Sequence, residues 1–141
     1  MTQRLKLDKE LNVHKGCVNS VCWNETGDKI LSASDDQKIV LTSPFSSKVY
    51  FKYTTVHRSN IFSAKFLPHG DNKIASCSGN GSVLYTDLEK VPLTREGDTL
   101  VGGSYRASNE TANYFNCHSG TAYEIQTIPS EPNGEKFTDL R

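Results

Sequence analysis

"HKGCVNSVCWNETGDKILSASDDQKIVL", residues 14–41, poses the choice that decides the fold. His14, Cys17 and Cys22 lie close enough together to read as metal ligands. The same stretch also alternates apolar and polar residues from Val18 to Trp23, turns at "NETGD", and resumes as "KILSAS". A tight turn, "DDQ", then leads into a third apolar run. Either the histidine and cysteines form a ligand cluster, or the stretch is one unit of a repeating β architecture.

A second copy decides for the repeat. "VHKGCVNSVCWNETGDKILSASDDQKIVLTS" (13–43) is matched by "VHRSNIFSAKFLPHGDNKIASCSGNGSVLYTD" (56–87), element by element. Both run Val-His-basic, strand, polar turn, strand, tight turn, strand. His14 and His57 are 43 residues apart. A third copy opens at "CHSGTAYEIQTIP" (117–129), with His118 in the same place and Tyr123, Ile125 and Ile128 as its apolar positions. His57 and His118 are 61 residues apart, so something is inserted. The insert, 91–115, is polar and glycine-bearing, with short outer strands at its two ends and a loop in its middle; it reads as a flexible polar insert rather than as a contact patch built on Tyr105, Arg106 and Tyr114.

A period of ~40–45 residues with several short strands per unit is the pattern of WD-type β-propeller blades. The expected fold is therefore all-β: a partial WD-repeat β-propeller, about two complete blades plus a truncated third, in an incomplete ring. The divisions follow: 1–12 as a strand of a preceding or closing blade, 13–55 and 56–90 as repeats, 91–115 as insert, and 116–141 as the truncated third repeat. The repeats are degenerate. The Trp at the end of the third strand is Thr42 in one unit and Thr86 in the other. The Asp that follows is Ser43 or Asp87, and the turn Asp is Asp36 or Asn80.

On this reading His14 ties its loop to the blade through Ser32 or Ser34 and Asp36, because a buried imidazole needs hydrogen-bond partners. His57 with Ser76 and Ser78 repeats the arrangement, and His118 begins a third. Cys17 and Cys22 fall on the first strand at an odd spacing, hence on opposite faces, where they cannot close one tetrahedral site. No metal or cofactor is expected. Ser34, His14 and Asp35 or Asp36 can be drawn as a catalytic triad. The arrangement recurs at His57, however, and a triad is built once, with an oxyanion hole and a cleft. "GNGS" at 79–82 is a hairpin turn rather than a phosphate cradle. The chain is expected not to be an enzyme.

Charge is balanced, with 16 basic and 16 acidic residues, so no basic field points to nucleic acid or membrane. Hydrophobic residues make up only 35%, lean for an independent core but suited to half-buried strands. The start, "MTQRLKLDKELNVH", lacks a signal-like apolar run, so an intracellular site, nucleus or cytoplasm, is expected. Cysteines 17, 22, 77 and 117 then read as packed small hydrophobes rather than disulfides. The sequons at Asn24, Asn80 and Asn109 read as turn residues.

Two long strings carry a family resemblance: "RLKLDKELNVHKGCVNSVCWNETGDKILSASDDQKIVL" and "HRSNIFSAKFLPHGDNKIASCSGNG". They resemble the opening blades of the WD-repeat substrate receptors of cullin-4-class RING ubiquitin ligases, in the branch of the nuclear receptor interaction protein (IQ motif and WD repeats). The resemblance covers 4–87 and 116–129 and is absent across 90–115. It implies a non-catalytic scaffold that docks on a DNA-damage-binding-type adaptor and presents an unknown protein substrate for ubiquitination. The alternative is a general WD-repeat interaction module without a ligase role, such as a transcription coactivator scaffold. The family's adaptor motif, W-D-x-R, has one partial match, "TDLR" at the end, so Asp139 and Arg141 are the expected adaptor contacts.

The third unit is short: His118 to Asp139 is 21 residues, against 29 or 30 from the histidine to the matching position in the first two. Two or three blades cannot close a ring. Open blades leave faces such as those of Trp23, Phe62 and Phe66 uncovered. The chain is accordingly expected to be a fragment, splice form or incomplete gene product of a longer propeller protein.

Overall fold

A computed structural model of the protein describes residues 5–91, 93–97, 99–102 and 112–128, and all regular structure among them is β-strand. The strands are β1 (Val18–Trp23), β2 (Ile30–Ser34), β3 (Lys38–Thr42), β4 (Val49–Thr54), β5 (Ile61–Phe66), β6 (Lys73–Ser78), β7 (Ser82–Asp87), β8 (Leu93–Glu96), β9 (Thr99–Gly102) and β10 (Ala112–Asn116). Blade 1 is the antiparallel meander β1-β2-β3-β4, and blade 2 is β5-β6-β7-β10. The hairpin β8–β9 joins the outer edge of blade 1, where β9 runs parallel to β4. The two ends of the 91–115 stretch are thus strands that serve different blades.

The two blades pack face to face. Blade 1 contributes Leu31, Ala33, Ile39, Leu41, Phe51 and Tyr53; blade 2 contributes Ile61, Ala64 and Ile74; Val91 completes the cluster. β2 and β3 are buried along nearly their whole length. A smaller cluster on the far face of blade 2 joins Ala75, Cys77 and Val83 to Ala122 and Ile125 of the third unit.

Simple alternation fails on the innermost strands. β1 shifts register between Val18 and Ser20, and β5 between Ile61 and Ser63. A β-bulge inserts one residue and moves the buried face from i, i+2 to i, i+3. Ile61 and Ala64 are therefore buried together, and Ala122 and Ile125 of the third unit are buried at the same spacing. The apolar set of the third unit needs correction: Ile125 is core, but Tyr123 and Ile128 are exposed. The parity argument about the cysteines falls as well, since Cys17 precedes β1 and is not on the strand. Cys77 is buried as expected of a small hydrophobe, whereas Cys17 and Cys117 are exposed because they sit in the loops beside their histidines.

Residues 5–12, expected as a strand, form none. A strand needs a hydrogen-bonded neighbour, and no described strand flanks them. Among the described residues no sheet covers the face of blade 1 that points away from blade 2. Val18 and Val21 are 48% and 56% exposed there. Their repeat counterparts Ile61 and Ala64 are at most 1% exposed, because blade 1 covers them.

Equivalent positions should therefore carry unequal weight. Ile61→Ala is expected to cost ~2–4 kcal/mol in urea unfolding, and Val18→Ala at the matching position ~0.5 kcal/mol or less. Equal losses would contradict the packing described.

Candidate functional site

Each blade is pinned by a histidine reaching back from the loop before its first strand. His14 Nδ1 lies 3.1 Å from Asp36 Oδ2, and His14 Nε2 lies 2.8 Å from Ser32 Oγ. A carboxylate only accepts, so Nδ1–H donates to Asp36 and Nε2 is left to accept the Ser32 hydroxyl proton. Asp36 also accepts from the backbone N–H of Lys15 and of Lys38. Burial pushes its carboxyl up, but these two N–H groups and the His14 ring outweigh burial and hold it below the usual value. Ser34 serves the turn instead of the ring: its hydroxyl accepts the N–H of Asp36.

The second blade rewires the tie. Asn80 replaces the acid, and His57 Nδ1 turns to Ser82 Oγ at 2.9 Å while Nε2 meets Ser76 Oγ at 2.9 Å. Ser82 Oγ in turn donates to Asn80 Oδ1 at 2.7 Å, so the serine bridges the distance an aspartate would span. Ser78 bonds Ser82 and Asn80 rather than the ring. The signal for Ser82 was its place directly after the "GNG" turn. His118 is exposed, and its backbone N–H donates to Gly81 O at 3.3 Å. Gly81 has φ +82°, and a Cβ there would collide with the carbonyl oxygens of His118 and Gly120. The third unit thus seats directly on the second unit's turn, helped by Thr121 Oγ1 donating to Gly79 O at 3.0 Å.

Polar ties also cross between blades. Asn24, only 5% exposed, donates through Nδ2 to Asp71 of blade 2 at 3.1 Å. Its Oδ1 accepts the backbone N–H groups of Asp28 and Lys29. Lys29 Nζ reaches the same Asp71 oxygen at 2.8 Å. An amide so engaged is not presented for glycosylation in the folded chain. Asn19 Nδ2 donates to Ile61 O at 2.9 Å.

The order Asp36–His14–Ser32 superficially matches a catalytic triad. Ser32, however, is buried within β2, where its hydroxyl also faces Val40 O. A cleft of about 390 Å³ lies between blades, with Trp23, Lys65, Phe66, Pro68 and His69 among its walls, and no member of either histidine network lines it. Among the described residues no group of three His, Cys, Asp or Glu side chains could hold a metal ion. Asp139 and Arg141 lie outside the described residues. Asp87, the other Asp at a third-strand end, accepts the N–H of Glu89 and shapes a turn. Sequence reasoning missed the ring pair Phe62–Tyr123, with centroids 5.3 Å apart. Both stand five residues after a histidine, where Asn19 stands in the first unit.

Burial holds the His57 imidazole down to about 4, against 6.5 when free. Between these values the unfolded chain binds a proton that the folded chain refuses. Stability is then full above about pH 6.5 and falls as the pH drops toward 4, by up to about 3 kcal/mol. The lowered carboxyl of Asp36 acts in the same direction at lower pH. Thermal unfolding from pH 7 to 4.5 should show this slope, and His57→Gln should remove most of it. An unchanged slope in the variant would contradict the assignment.

Comparison with known proteins agrees with this architecture. The WD domain, G-beta repeat, matches residues 5–43 and 49–87. The chain is 49% identical over 131 residues to "DDB1- and CUL4-associated factor 6" of Mus musculus, covering 92% of this chain and 13% of that protein. It is 40% identical over 135 residues to "WD repeat protein iqw1" of Schizosaccharomyces pombe, covering 94% of this chain and 15% of that one. The chain therefore spans about one seventh of the length of these relatives. The β-propeller domain of Myceliophteria thermophila Cps50 (Swd1) superposes with a TM-score of 0.53 at 20% identity, covering 59% of this chain and 26% of that one. Two repeat matches lie over two meanders, each pinned by its own histidine and packed face to face like blades: the chain belongs to the WD domain, G-beta repeat family.

Proposed function

We propose that the chain is a non-catalytic part of a WD-repeat substrate receptor for a cullin-4-class RING ubiquitin ligase. The observation that carries this reading is the 49% identity to a protein whose name states association with DDB1 and CUL4. The physical design is consistent with it. Rigid blades hold loops and strand ends in fixed positions, which is what recognition of one protein by another requires. In this reading the chain binds a DNA-damage-binding-type adaptor and a protein substrate, and other subunits perform the transfer chemistry. It works in the nucleus, the cytoplasm or both.

Adaptor contact is assigned to Asp139 and Arg141, on the strength of "TDLR" alone. An arginine fork pairs with a carboxylate or with clustered carbonyls through two parallel hydrogen bonds, and lysine cannot reproduce that geometry. Asp139 would orient the same short segment.

Co-purification of the chain with the adaptor tests the reading. Capture is expected, with Arg141→Ala weakening it about tenfold or more, as loss of a charged bidentate contact does. Undiminished capture of the variant would move the contact elsewhere and leave the receptor assignment standing. No capture of the unmodified chain would overturn the assignment.

A further inference from the structure

The path between β7 and β10 is unusual for two strands of one blade. β7 and β10 pair with each other at the outer edge of blade 2, in register from Ala112 opposite Thr86 to Asn116 opposite Ser82. The connection between them leaves blade 2. It turns at Asp87–Lys90, where Leu88 N–H donates to Asn72 O at 2.7 Å and Lys90 N–H to Asp87 O at 3.1 Å. Val91, only 6% exposed, then enters the apolar cluster shared by the two blades. The chain next forms the hairpin β8–β9, turning at Gly97 with φ +63°. β9 lies parallel on the outer strand of blade 1, with Phe51 opposite Leu100, Lys52 opposite Val101 and Tyr53 opposite Gly102. Thr99 Oγ1 adds a hydrogen bond of 3.0 Å to Val49 O.

We infer that residues 88–91, 93–97 and 99–102 act as a clasp: covalently continuous with blade 2, plugged between the blades at Val91, and hydrogen-bonded to the outer edge of blade 1. Two consequences follow from this placement. Separating the blades requires stripping β9 from β4 as well as opening the apolar cluster. The β4 edge, which would otherwise present a row of unpaired N–H and C=O groups to other chains, is occupied. Among the described residues no strand covers blade 2 in this way, and β10 stands at the edge of its sheet. This inference does not depend on the ligase reading.

Hydrogen exchange on the whole chain tests it, with the two outer strands as internal comparison. The β4 amides that face away from β3 are expected to exchange about tenfold or more slowly than the β10 amides that face away from β7. Leu100→Pro, which removes an N–H and a compatible backbone from β9, should bring the β4 amides to the β10 rate. Equal rates for the two edges in the unmodified chain would overturn the clasp, and this comparison stands even where the proline variant does not fold. Retained β4 protection in a folded Leu100→Pro variant would overturn it as well.

Discussion

The apolar contact between the two blades is the constraint from which the rest of the structure follows. A single four-stranded meander has two faces and can bury neither alone. Here Leu31, Ala33, Leu41 and Phe51 of one blade meet Ile61, Ala64 and Ile74 of the next, and both become core. Short strands and a lean hydrophobic content suffice because each apolar side chain is used against a neighbouring sheet. The far face of blade 2 repeats the device on a smaller scale with Ala122 and Ile125. On the open face of blade 1 the same positions, Val18 and Val21, remain in solvent.

The polar ties make sense only against that packing. Sheets that slide over an apolar surface need groups that fix their register, and buried hydrogen bonds supply direction where dispersion does not. His14 and His57 each fasten a loop to the strand beneath it. Asn19 and Asn24 reach across to blade 2 itself. The second blade keeps the histidine while losing the acid, at the expense of a serine relay through Ser82 and Asn80. A neutral imidazole suits that setting, since neither hydroxyl partner balances a charge.

Much of this was legible in the sequence, for definite reasons. The 43-residue spacing of His14 and His57 and the matching turns identify blades, because turn chemistry and strand length are local properties. The ring partners Ser32, Asp36 and Ser76 were readable for the same reason. The bulge was not, because it arises from pairing across strands and leaves no local mark. It broke the simple alternation expected along β1 and β5, and Cys17, expected on the first strand, precedes it. The clasp was hidden more deeply. A short outer strand at the start of the insert was foreseeable, but its attachment to the other blade is a long-range choice made by whichever edge is free.

The described histidine networks are spent on fixing loops and strands within each blade, and the shared core joins one blade to the next. That account depends on the two blades behaving as one body. The most direct measurement follows urea unfolding with one probe in each blade. Trp23, the only tryptophan, reports on blade 1. In a Cys17→Ser/Cys22→Ser/Cys117→Ser chain the remaining thiol, Cys77, reports on blade 2; burial raises it to about 11 and keeps it unreactive until blade 2 opens. A shared core predicts one transition with the same midpoint from both probes. Two separate midpoints would show that the blades stand independently, and would contradict the account.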